Sequence, residues 1–146
     1  MIFFDTNLLV YSTVNLDEKK QKISDNLIET AIKDKVFVVS PLVLSEFIFV
    51  LSKLKIDRIL VDQAISSYKP FVKYPLEAAV VLDAYELCKE LELCHNINDA
   101  IHLKYAERHC SKIVTFDRDF RKFEDSTETM IEILATAEEE IEEPKT

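Results

Sequence analysis

The 146-residue sequence contains no glycine and no tryptophan. Dinucleotide-binding turns and P-loops need glycine where a Cβ would collide with phosphate, so the chain can build neither. Without glycine, its turns are expected to rely on Asn, Asp and Ser, which enter unusual backbone angles less freely. Long apolar runs are missing too. Nothing approaches the roughly 18 uninterrupted apolar residues of a membrane span, and the first residues lack the basic start and small-residue cleavage site of a secretory signal. A soluble, cytoplasmic protein is expected, with no membrane partner. Cysteine is scarce: Cys88, Cys94 and Cys110 are an odd number without zinc-type spacing, which argues against a disulfide framework. His95, His102 and His109 lie near them but are scattered through two predicted helices and make no soft-metal pattern.

Basic charge is also in deficit, with a formal net charge of −9 that looks hostile to nucleic acid. The deficit is local. Nine of the 27 acidic residues but one of the 18 basic ones follow residue 123, which leaves the first 123 residues at −1. Residues 136–146, which end in AEEEIEEPKT, are expected to be a solvated, flexible acidic tail, with one domain spanning 1–135.

Within that domain, residues 2–4 (IFF), 36–39 (VFVV), 112–116 (KIVTF) and, more weakly, 130–134 (MIEIL) read as strands buried on both faces. Helical spacing links Ile23, Leu27 and Ala31; Leu60, Ala64 and Tyr68; Val80, Ala84, Leu87 and Leu91; and Leu103, Ala106 and Cys110. Alternating strands and helices predict an α/β architecture, a parallel sheet flanked by helices. Pro70 and Pro75 mark a break between two of the helices.

Four carboxylates stand at informative places. Asp5 follows the first strand, at the edge where open parallel sheets bind ligands, although it would equally serve as a helix N-cap. Glu46 lies on a helix (LVLSEFIFVLSKL) that is apolar nearly all round, sharing its side with Leu42, Phe49 and Val50. A buried carboxylate there needs a partner, a proton or a metal; the alternative is that it reaches solvent from the first turn. Asp99 opens a helix behind Asn98, ordinary helix grammar on its own; His102 one turn later is placed to reach the same site, although it reads more readily as a helix residue without a chemical duty. Asp117 and Asp119 follow the third strand at the same kind of edge as Asp5, where a simple turn would also account for them. Brought together at one end of the sheet, such carboxylates would repel unless a hard divalent cation joined them. One or two such ions would activate water and stabilise charge during phosphodiester hydrolysis.

The ordered set DTN, SEF, NDA and TFDRDF resembles the PIN-domain ribonucleases, particularly the VapC-like toxins of prokaryotic toxin–antitoxin pairs. The resemblance implies a PIN-like fold with a small parallel sheet of about four or five strands flanked by helices. It also implies a homodimer, an antitoxin partner, and Mg²⁺- or Mn²⁺-dependent endonucleolytic cleavage of RNA. Carried over residue by residue, the family's acidic quartet falls on Asp5, Glu46, Asp99 and Asp117, with Asp5 and Asp99 as the main metal ligands. Glu46 and Asp117 would complete the shell directly or through water. Thr6, Asn7 and Thr115 match polar positions that orient these carboxylates or the scissile phosphate, and Asp119 matches an auxiliary acid of some relatives.

Two features depart from the pattern. Many relatives carry glycine in the turn near the last acid, where this chain has Phe116 or Arg118. Basic residues suited to an RNA backbone (Lys53, Lys55, Arg58, Lys104, Arg108, Arg118, Arg121 and Lys122) form no dense run. Ile48, Phe49 and Leu51 would suit a dimer interface or simple core burial. Two other readings remain. One is a non-catalytic PIN-like module that binds RNA or protein. The other is an aspartate phosphatase or phosphotransfer receiver, disfavoured because Asn7 stands where the phosphatase motif wants a second Asp.

Overall fold

A computed structural model describes residues 1–142, with side chains through 140. Strands β1 (Ile2–Phe4), β2 (Phe37–Val38), β3 (Lys112–Thr115) and β4 (Met130–Ile133) form one sheet in the order β2-β1-β3-β4. Every pairing is parallel. The chain moves outward from β1 to β2 and then returns past β1 to β3, so the carboxyl ends of β1 and β3 meet at the topological switch point.

Helices α1 (Thr6–Thr13) and α2 (Glu18–Lys33) connect β1 to β2, and α3 (Pro41–Lys53), α4 (Arg58–Tyr68), α5 (Ala78–Leu91) and α6 (Ile97–His109) connect β2 to β3. Their starts are chemically marked. Asp17 accepts from the backbone N of Lys19 and Lys20, and Asp57 from that of Ile59. Ser40 accepts from Val43 N with Pro41 in the first turn, where its missing N–H costs nothing. Between β3 and β4 runs a 3₁₀ stretch, Arg118–Ser126, which buries Phe120 and Phe123.

The core lies on both faces of the sheet, with Phe3, Phe4, Phe37, Phe47, Leu8, Leu9, Leu103 and Ile113 essentially inaccessible. The proline-bracketed break also packs inward: Val39 N donates to Phe71 O (3.0 Å), and the Phe71 ring meets Phe37 edge-on at 4.9 Å. The fourth strand departs from the double burial expected of it. It is an edge strand with Met130 63% exposed and its other residues half-buried, because no further strand covers its outer side. The α3 surface also divides: Leu51 belongs to the core, whereas Ile48 and Phe49 face outward.

The turns differ most from expectation. Left-handed backbone occurs at Lys35, Lys55 and Glu92, not at Asn, Asp or Ser. Each residue ends a helix in a Schellman motif, with Val36 N reaching Ala31 O, Ile56 N reaching Leu51 O and Leu93 N reaching Cys88 O at 2.8–3.1 Å. The apolar residue after each turn anchors it, so hydrogen bonding and packing outweigh the Cβ strain of roughly 1–2 kcal/mol. The turn beside Asp117 needs no positive φ, so the missing glycine there costs nothing.

The acidic segment forms a helix, α7 (Ala137–Glu142), that starts at buried Thr136. Residues 143–146 of the anticipated flexible tail lie outside the described residues.

Candidate active site

A cavity of about 330 Å³ opens at the switch point, and Asp5, Glu46, Asp99 and Asp117 all line it. Four elements deliver them: the end of β1, the middle of α3, the first turn of α6 and the residue after β3 and Phe116. Thr6, Asn7, Tyr11, Leu16, Val50 and His102 complete much of the wall.

Asp5 caps α1, with Oδ1 accepting from Thr6 N (2.7 Å), and its Oδ2 accepts from the Thr115 hydroxyl (2.7 Å). The cap suggested by its position is therefore made, and the same carboxylate lines the cavity. Thr115 Oγ1 in turn accepts from Asp117 N (2.9 Å), which ties the ends of β1 and β3 together. Asn7 Nδ2 lies 3.4 Å from both Asp5 Oδ2 and Thr115 Oγ1, and Asn7 Oδ1 accepts from Phe116 N (3.4 Å). Burial drives the Asp5 carboxyl above its ordinary range, against the pull of nearby His102 and the hydrogen bonds from Thr115 and Thr6.

Glu46 is half-buried and well held. Its Oε1 accepts from Thr6 Oγ1 (2.7 Å) and lies 2.6 Å from His102 Nε2, while Asn98 Nδ2 reaches Oε2 at 3.4 Å. Burial alone would raise its pKa, but the hydrogen bond and charge of His102, with Thr6 and Asn98, bring it below the usual value. His102 shows the reverse balance. Its complete burial favours the neutral ring, yet the Glu46 hydrogen bond and the charges of Asp5, Glu46 and Asp99 lift it above the ordinary histidine value.

His102 does reach the site, where it stands beside Asp5 and Glu46. Potential ligand atoms of these three residues lie within 4.8 Å of one another. Its spacing from Asn98 and Asp99 on α6 was the available signal, since i+3 and i+4 neighbours share a helix face. Asp99 meets Lys122 Nζ at 3.3 Å, another partner that sequence spacing did not link to it. Burial raises the Asp99 carboxyl and the lysine partly offsets this. Asp119 does not line the cavity; its side chain is exposed, and its backbone N donates to Asp117 Oδ1 (2.9 Å).

The PIN domain model matches residues 2–125 of this chain. The chain belongs to the PIN domain family. Its PIN fold superposes on a chain in the crystal structure of VapBC2 from Rickettsia felis bound to a DNA fragment from their promoter, with a TM-score of 0.70 and 20% identity. The match covers 92% of this PIN protein and 100% of that chain. No curated protein sequence matches it. Among the described residues, no helix is long and apolar enough to cross a membrane.

Proposed function

We propose that this PIN domain is a Mg²⁺- or Mn²⁺-dependent endoribonuclease and acts in the cytoplasm as the toxin of a toxin–antitoxin pair. One observation carries the reading: Asp5, Glu46, Asp99 and Asp117 line a single cavity at the switch point. Their oxygen-rich chemistry suits a hard divalent cation better than a soft metal. The elevated Asp5 pKa fits the same idea, because a buried carboxylate short of counter-charge gains most from a cation. Asp5 and Asp99 would hold the ion, and Glu46 and Asp117 would complete its shell directly or through water. When bound, such an ion eases ionisation of the attacking water and stabilises charge on the scissile phosphate.

The protein's own groups hold this machinery in place. Thr115 and Thr6 fix Asp5, and Asn7 supports Thr115. His102 keeps Glu46 ionised and within reach of Asp5; its separation from Asp5 Oδ1 is 3.9 Å. Lys122 balances the charge of Asp99.

An antitoxin partner is proposed because the structural neighbour belongs to a VapBC2 assembly bound to promoter DNA. A homodimer is proposed from the outward-facing Ile48 and Phe49 of α3, which leave apolar area for a second copy.

Cleavage of labelled single-stranded RNA by the purified chain should require Mg²⁺ or Mn²⁺. Asp5→Asn combined with Asp99→Asn should reduce it by at least about 100-fold, the scale expected when metal-assisted hydrolysis is lost. No metal-stimulated cleavage by the folded parent chain would overturn the assignment in favour of a binding module.

A further inference from the structure

The C-terminal acids do not simply face solvent. Thr136 and Glu139 are bonded twice at the start of α7: Glu139 N donates to the N-cap Thr136 Oγ1 (3.3 Å), and the Thr136 hydroxyl donates to Glu139 Oε1 (3.2 Å). This turns Glu139 back toward the body. There its Oε1 lies 3.4 Å from Lys20 Nζ, and its Oε2 lies 3.4 Å from Arg118 Nη2. Glu138 pairs with Lys19 alongside.

These cations stand at the rim of the acidic cavity. Arg118 directly follows Asp117, a lining residue. Lys20 Nζ lies 5.3 Å from the ring centroid of Tyr11, another lining residue, and 5.5 Å from that of Phe116. A body near electrical neutrality has little net attraction for a polyanion, so acidic residues over two cations beside the site matter more than they would on a basic protein. Exposed or partly exposed ion pairs are weak enough for a phosphate backbone to displace them.

We propose that Lys20 and Arg118 form a phosphate-contacting rim for a single RNA strand, and that Glu139 of α7 competes with that strand for the same two cations. The free protein is thus held in a low-affinity state by its own acidic segment. The identity of the strand rests on the ribonuclease reading above; the competition rests on the ion pairs.

The test uses the full-length protein carrying Glu139→Gln. Glutamine removes the charge and can still accept from the Thr136 hydroxyl through its amide oxygen. Anisotropy with a labelled single-stranded oligoribonucleotide over a salt series should show about fivefold tighter binding at low salt. Its logarithmic salt slope should steepen by about 1.4, equivalent to two additional phosphates on a single strand. In that background Lys20→Ala should weaken binding more than it does in the parent, as two groups sharing one partner require. Unchanged affinity and salt slope, with only a lower Tm, would overturn the proposal and make the contact a structural clip. Cleavage is measured separately with Mn²⁺ on the same RNA. Altered binding without cleavage by either protein supports the competition and defeats the nuclease reading; cleavage by both with identical binding does the reverse.

Discussion

Asp5 has two demands on its carboxylate that pull against each other. As a cap it must be buried at the end of β1, and as an ionised group it suffers there from the loss of water. Because its folded pKa is raised, the native state retains a proton that the unfolded chain loses above about 3.8, so stability falls as pH rises through the folded value. Asp5→Asn should therefore raise the metal-free Tm by a few degrees at neutral pH and lose that advantage in strong acid. Thermal melts over a pH series test this, and a lower Tm at neutral pH would mean that lost hydrogen bonds dominate. His102 illustrates what residue spacing could not decide. Its periodicity placed it near Asp99 along α6, but contact with Glu46 depended on how α6 packs beside α3.

The helices solve their endings without glycine by using Lys35, Lys55 and Glu92 in left-handed backbone. A glycine there would remove the Cβ penalty but lose more backbone entropy on folding. The first effect should win modestly because the Schellman hydrogen bonds already specify each conformation. Lys35→Gly and Lys55→Gly should each stabilise the protein by about 0.5–1 kcal/mol, read as a higher urea midpoint with an unchanged m-value. The same elements show where sequence patterns were sufficient. Strands β1, β2 and β3 were legible as apolar runs, and α2, α4, α5 and α6 as helical periods. The α3 face was only partly legible: an apolar sequence could not say that Leu51 turns inward while Phe49 stays out.

For the whole molecule, the parallel order β2-β1-β3-β4 brings acidic residues from opposite ends of the chain to one crevice. A cation bound only by the folded state must stabilise the entire domain by mass action. Mn²⁺ at about 100 times its Kd should add ~2.7 kcal/mol, or about 8 °C in Tm for a domain of this size. Calorimetry with Mn²⁺, and with Asp5→Asn plus Asp99→Asn as control, tests that response; equal shifts would assign the ion to another place.

The sequence alone determined the alternating α/β plan and singled out Asp5, Glu46, Asp99 and Asp117, which line one cavity. Apolar periodicity and the chemistry of side chains are local properties, already present in the order of residues. Only tertiary structure decided that Glu46 meets His102 and Thr6, that Lys122 balances Asp99, and that Lys20 and Arg118 converge on Glu139. These pairings follow from which helix faces meet across the sheet, a choice made by packing the whole core rather than by any one segment.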